Sequence, residues 1–174
     1  MRQQPGPGRQ AEAARNDQRI LDAARAREHL LACCTSERWI HNVMAGRPYA
    51  SVGEILARSD ESVADLDQGD LEQALAGHPR IGAGSAAGSS RREQAGVQAA
   101  DQATLRALAE GNEAYERRFG HIYLVCATGR SAGELLALLR ERLGHDPAAE
   151  WGVVRRELGK INRIRLRRLL EGTA

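Results

Sequence analysis

His78, Pro79, Arg80, Ile81 and Gly82 follow one another, and Ser90, Arg91, Arg92, Glu93 and Gln94 come after a short run of Gly, Ala and Ser. An imidazole changes charge near neutrality and moves protons. Pro79 restricts the backbone behind it, and a carboxylate and a carboxamide stand close by in sequence. Such a set can transfer a proton and hold a small polar ring without a metal, which makes a cofactor-free enzyme the leading functional class. Each part also has an ordinary structural use. His78-Pro79 reads as a helix-breaking turn, and Ser90-x-x-Glu93 as a capping box. The two uses are compatible, because a helix start exposes free N–H groups and the positive end of the helix dipole, where an anionic or carbonyl-rich ligand binds well.

A third candidate lies far along the chain. The last helix carries an apolar stripe of Trp151, Val154, Leu158 and Ile161, and the next position at helical spacing is Arg165, with Leu169 beyond. A guanidinium on a buried stripe needs an anion or several acceptors. The alternative is an Arg near a helix end that reaches water or caps the last carbonyls. His29, His41, His121 and His145 are scattered singly, and none forms a metal-ligand spacing, so no metal is expected. Neither a nucleophile elbow nor a phosphate-binding glycine loop is present.

These residues need a scaffold, and the composition says which kind. The chain has 174 residues and a net charge of +2; aromatics are only 3%, which leaves Leu, Ala, Val and Ile to fill the core and favours helix over sheet. Helical spacing predicts a first helix over 20–34 and a second capped by Thr35 or Ser36. A third opens at the Ser51-x-x-Glu54 box and runs through Leu56, and another turn or helix covers 62–66. A short helix over 71–76 stops at Gly77. A longer one is expected over 90–110, with Gly111 or Asn112 interrupting it before Tyr115. Ser131-x-x-Glu134 caps an amphipathic helix that ends at residues 144–147, and the last helix runs over 148–170. Only 120–127 has strand-like composition. With no second strand to pair with, it is either the end of a buried helix or an extended stretch whose backbone groups bond elsewhere.

The predicted fold class is therefore all-α: one compact, multi-helix, bundle-like domain over 19–174, after a disordered tail over 1–18 that lacks the apolar core of a signal peptide. No apolar run approaches a membrane span. Cys33, Cys34 and Cys126 are an odd number without metal spacing and read as reduced, buried thiols of a cytoplasmic protein. Near-neutral charge argues against nucleic-acid binding. The rival class is a helical binding or regulatory module using the Arg-rich face of 155–168, where acids such as Glu150 and Glu157 read as part of a solvated surface.

The order Cys33-Cys34, Trp39, Arg47-Pro48-Tyr49, His78-Pro79-Arg80-Ile81-Gly82, Ser90-x-x-Glu93-Gln94, Tyr115-x-x-x-Phe119-Gly120, Leu139-x-x-Arg142-Leu143, Lys160-Ile161 and Arg165-Leu166 resembles the 2-oxo-4-hydroxy-4-carboxy-5-ureidoimidazoline (OHCU) decarboxylases. The resemblance covers 21–170. It implies a cofactor-free decarboxylation that yields (S)-allantoin in urate breakdown, by a helical protein that is usually a homodimer. It makes His78 the acid/base residue and Glu93 its partner. Pro79, Ser90, Gln94 and Arg165 become substrate contacts, and Val125, Cys126, Ala127, Thr128 and Gly129 a segment whose backbone meets the ligand. Departures from the family pattern are Ser89 where an aromatic is common, His121-Ile122-Tyr123 in place of a Phe-Pro-Phe type run, and His145 where Asn is frequent.

Overall fold

The computed structural model describes residues 25–82, 88–98 and 100–172, so the proposed tail and the start of the first helix lie outside the described residues. It is all-α, with no strand among them. Two compact units divide the chain: Met1–Leu66 with Asn162–Ala174, and Asp67–Ile161.

The first unit holds α1 (Ala26–Cys33), α2 (Glu37–Ala45) and α3 (Val52–Ala64), and the sequence marks the starts of α2 and α3 chemically. Ser36 Oγ accepts the Trp39 N–H at 3.3 Å and Ser51 Oγ that of Glu54 at 3.2 Å. The separate turn expected over 62–66 is absent. α3 runs on to Ala64, and the Ser62 hydroxyl, in a side chain buried within it, donates back to the Arg58 carbonyl at 2.7 Å. Trp39 and Tyr49 are buried with their polar ends used: the indole N–H donates to Ser59 Oγ at 3.1 Å and the phenol to the Val43 carbonyl at 2.6 Å. Arg165 belongs to this unit. It is 7% exposed, and its Nη1 donates to the Cys33 carbonyl at 3.0 Å. Arg163 pairs with Asp60, so the Arg-rich stretch is not wholly a free basic face. All three cysteines are free and buried.

The second unit begins with α4 (Gln68–Ala76), opened by a reciprocal Asp67–Asp70 capping box and closed at Gly77. Where one helix was expected over 90–110, the structure has three: α5 (Gly88–Glu93), α6 (Ala95–Gln98) and α7 (Gln102–Phe119). Two local causes divide them. A Cβ on Gly96 would stand 2.1 Å from the Arg130 carbonyl oxygen, so α6 presses directly on another backbone. Asp101 then restarts the helix, accepting the Thr104 N–H at 2.8 Å and the Thr104 hydroxyl at 2.8 Å. Ser90 consequently sits inside α5 and is not its cap.

Gly111 and Asn112 do not interrupt α7. Gly111 lets it approach α8 (Ala132–Arg142), since a Cβ there would lie 2.5 Å from Leu139 Cδ2. Gly120, at φ 78°, ends α7 in the left-handed conformation. The core of this unit joins Leu108, Tyr115, Leu135 and Leu139 to Ile81, Val97, Tyr123, Val125, Ala127 and Ala132. Aromatics are scarce but concentrated. The Tyr115 ring packs against those of Phe119, Tyr123 and His121, and His121 also meets Phe119 and lies 4.2 Å from the Trp151 ring, so the departure at His121 is used for packing. The last helix, α9 (Pro147–Leu170), contributes residues up to Ile161 to this unit.

Candidate functional site

His78 leaves α4 through one more turn, its N–H donating to the Leu75 carbonyl at 3.0 Å. The residues that follow are pinned one by one. Arg80 grips Glu116 on α7 with two parallel bonds, Nε to Oε1 at 2.5 Å and Nη2 to Oε2 at 2.8 Å, and that hydrogen bonding holds the Glu116 carboxyl below its ordinary range. Asn112 Nδ2 donates to the Ile81 carbonyl at 2.9 Å. Gly82 adopts φ 78°, which favours glycine, and its N–H donates to Gln94 Oε1 at 3.0 Å. Gln94 Nε2 makes a longer contact of 3.5 Å with the Arg80 carbonyl. Gln94 therefore joins the two motifs that stand apart in sequence.

Opposite them runs the stretch 121–127, which is neither helix nor strand. Its backbone groups are held by charged side chains from helices. Arg142 Nη1 donates to the Leu124 carbonyl at 2.7 Å, and Glu157 Oε2 accepts the Cys126 N–H at 2.8 Å. Of the two alternatives open for this stretch, the structure excludes the end of a buried helix and has backbone groups that bond elsewhere. A turn follows, closed by the Arg130 N–H on the Ala127 carbonyl at 3.0 Å, with Gly129 at φ 78° in its third position.

Arg142 is itself held by a buried hub. Its Nε donates to Glu150 Oε1 at 2.6 Å; the Tyr115 hydroxyl bonds the same carboxylate, and His145 Nδ1 lies 2.7 Å from Oε2. Burial by itself would raise the Glu150 carboxyl; the bonds from Tyr115, Arg142 and His145 outweigh it and hold the group below the ordinary range. Glu150 is 0% exposed and Glu157 7%, which overturns their reading as members of a solvated face. His145, the departure from Asn, is a member of this hub.

A cavity lies between these parts, lined by His78, Pro79, Ile81, Ser90, Glu93, Gln94, Tyr123, Leu124, Val125, Ala127 and Ile161. Seven of the expected site residues thus face one space. Ser90, Glu93 and Gln94 are buried. Cys126, Thr128 and Gly129 are not in the lining, and Arg165 is in the other unit. The Cys126 thiol is pushed up, chiefly by burial and further by the Glu157 and Glu93 carboxylates. The Tyr123 phenol, donating to the Leu135 carbonyl at 3.2 Å, is pushed up to about 12 by burial first of all. It is a neutral donor and wall and not a base. No group of three or more His, Cys, Asp and Glu able to hold a metal occurs among the described residues.

The family model of OHCU decarboxylase matches residues 19–167. The chain belongs to this decarboxylase family. Among its relatives, the uric acid degradation bifunctional protein TTL of Arabidopsis thaliana is 30% identical over 150 residues, which are 82% of this chain and 46% of that protein. The OHCU decarboxylase of Amia calva is 29% identical over 136 residues, 74% of this chain and 78% of its own length. The chain thus spans about half of the plant protein and most of the fish one. A crystal structure of OHCU decarboxylase in the presence of (S)-allantoin is similar with a TM-score of 0.74 at 27% identity, covering 83% of this chain and 98% of that one. A structure of (S)-allantoin synthase shares the fold, with a TM-score of 0.66 at 18% identity, over 88% of this chain and 53% of that one. Membership in the OHCU decarboxylase family makes the chain a carboxy-lyase of urate degradation.

Tyr123, Leu124, Ile81 and Ile161 line the cavity although none of them was expected as a site residue, Ile81 and Ile161 having stood only within motifs, and Asn112, Arg142, Glu150 and Glu157 support it. Arg142 and Tyr115 did stand in the motifs that carried the resemblance. No helix among the described residues is long and apolar enough to cross a membrane.

Proposed function

We propose that this chain decarboxylates OHCU to (S)-allantoin, with His78 and Glu93 as its catalytic residues. The supporting observation is that His78, Pro79, Ser90, Glu93, Gln94, Val125 and Ala127 line one cavity, although they come from three separate stretches of a family member.

Loss of CO2 leaves an electron pair on the ring carbon, which the adjacent C=N and carbonyl absorb. The ring is its own electron sink, so the protein's work is orientation, hydrogen bonding to developing charge, and delivery of a proton to one face. In this reading the electron pair left by CO2 forms a double bond between the hydroxyl-bearing and the ureido-bearing carbons; His78, supported by Glu93, takes the hydroxyl proton as that carbon becomes the carbonyl, and a proton is delivered to one face of the ureido-bearing carbon, the stereocentre of allantoin. Ser90, Pro79 and the backbone of 125–129 hold the ureido and carbonyl groups. Gln94, already bonded to the Gly82 N–H, serves as substrate contact and as brace of the His78 loop. Arg165 enters as a substrate contact from the sequence resemblance and its own burial. The reading includes a homodimer, again from the resemblance, a cytoplasmic location, from the reduced thiols, and no nucleic-acid partner, from the near-neutral charge.

The test uses OHCU generated in place from urate by the upstream oxidase and hydrolase, with circular dichroism following (S)-allantoin above the slow racemic background. The wild-type chain is expected to accelerate formation of the (S) form. His78→Ala and Glu93→Ala are each expected to lose on the order of 10²–10⁴ in rate. A racemic product at the background rate with wild-type protein would sink the function. Near-wild-type CO2 release by both variants would sink the residue assignment.

A further inference from the structure

We infer that Glu157 is a positioning residue for the decarboxylation: its carboxylate, holding the Cys126 N–H, sets the orientation of the Val125 backbone that forms one wall of the cavity. The inference rests on the function proposed above and adds a residue to it.

The geometry begins with peptide planarity. In a trans peptide the N–H and the C=O point in opposite directions. Glu157 Oε2 takes the Cys126 N–H at 2.8 Å, so the Val125 C=O of the same peptide points away from Glu157. Arg142 takes the Leu124 C=O at 2.7 Å, so the Val125 N–H points away from Arg142. Both peptide planes flanking Val125 are therefore set by side chains. In a sheet, neighbouring strands would do this; here no strand is present among the described residues. Val125 lines the cavity, and its N–H and C=O are the groups that these two bonds leave turned away from Arg142 and Glu157. One donor and one acceptor on one residue match the N–H and C=O of a cyclic ureide.

Glu157 is suited to this use by its surroundings. It is 7% exposed, and Lys160 Nζ lies 2.5 Å from Oε1, offsetting its charge beside a cavity that receives an anionic substrate. Lys160 is the chain's only lysine, all other basic side chains being Arg or His. Ile161, one turn beyond Glu157 on the same helix, reaches the cavity lining.

The test compares Glu157→Ala and Glu157→Gln with wild type by three readouts: kcat and KM for OHCU, the enantiomeric excess of allantoin, and the rate at which Cys126 is alkylated, followed by peptide mass spectrometry. Glu157→Gln keeps an oxygen that can accept the Cys126 N–H, while Lys160, half in solvent, turns outward. Glu157→Ala removes the acceptor. The expected result is a kcat lower by roughly tenfold or more for Glu157→Ala, since small misplacements in a site are costly, with faster Cys126 alkylation and unchanged helix content. Glu157→Gln should stay within about threefold of wild type in both kcat and alkylation, as retained hydrogen bonding predicts. The inference is overturned if Glu157→Ala keeps wild-type kcat, or if Glu157→Gln is folded and as impaired as Glu157→Ala. If Glu157→Ala does not fold, Glu157→Gln and Glu157→Asp decide: Asp, one methylene shorter, must lose kcat while Gln retains it. Alkylation reads the wall without any turnover. An inactive wild type would therefore refute the proposed function, while equal alkylation rates in wild type and Glu157→Ala would refute the bracing by Glu157.

Discussion

Replacing Glu150 by Gln should be among the most damaging single changes that leave the cavity lining untouched. The carboxylate is fully buried and takes bonds from Arg142, Tyr115 and His145, while the Arg142 side chain is 4% exposed. Removing the charge leaves that guanidinium desolvated beside a neutral amide whose NH2 must face one of three former donors. Breaking a buried pair from one side costs about 3–5 kcal/mol, and the lower end applies because Gln keeps one acceptor. For a chain of this size about 3 kcal/mol corresponds to a fall in Tm of roughly 6–12 °C. Thermal unfolding followed by circular dichroism, with urea titration at room temperature, measures both.

The pH dependence supplies a second arm of the same prediction. The Glu150 carboxyl is held below its ordinary value of 4.5, so its stabilising contribution is complete above that pH and is lost as pH falls through the lower folded-state value. Wild type should therefore converge on Glu150→Gln below pH 4.5, in the window between the two values. Arg142→Met should also be strongly destabilising, because it strips the Leu124 carbonyl as well as Glu150. Combining it with Glu150→Gln should cost less than the sum, with a coupling of about 1 kcal/mol or more. A Glu150→Gln variant within about 0.5 kcal/mol of wild type at neutral pH, or a gap that persists unchanged at low pH, would refute the hub.

Three other outcomes are expected. Gln94→Leu strands the Gly82 N–H and should cost about 1 kcal/mol in a urea titration, with a KM for OHCU raised several-fold as the two motifs separate; unchanged stability and KM would contradict the bracing role. Gly96→Ala should lower the Tm and kcat together, at about 1–3 kcal/mol, because its Cβ would meet the Arg130 carbonyl at 2.1 Å and displace α6 or the turn after the cavity wall. Ser131→Ala, by contrast, removes only the α8 cap and should cost about 1 kcal/mol while kcat stays within about twofold, separating a stability effect from a site effect.

Much of the helical scaffold was legible because caps are local chemistry. Ser36, Ser51 and Ser131 mark their helix starts by the same side-chain bonds that the motif implies. What failed were the breaks. Gly111 looks like an interruption in sequence, yet it serves a close crossing against Leu139. Gly96 looks unremarkable, yet it meets the carbonyl oxygen of Arg130, a residue distant in sequence. A glycine's purpose depends on what approaches it, and that is tertiary information. The cavity lining followed the motif residues for the same reason in reverse: His78, Glu93 and Gln94 are few, chemically distinct and near in sequence, whereas Tyr123, Leu124 and Ile161 are recognisable as walls only once the stretch 121–127 is in place.

The misreading of Glu150 and Glu157 has a more specific cause. Arg165 stood out because it occupies the next helical step after Val154, Leu158 and Ile161. Glu150 lies four residues before Val154, and Glu157 three after it, so both fall on the buried side of α9 by the same spacing. Applied evenly, the spacing that singled out Arg165 selects all three. The run over 120–127 carried the complementary signal: apolar, β-rich in composition and with no second strand, it leaves backbone groups that something must bond. A helix with inward carboxylates and a chain segment with unpaired N–H groups are two halves of one requirement. The bond from the Cys126 N–H to Glu157 is where they meet.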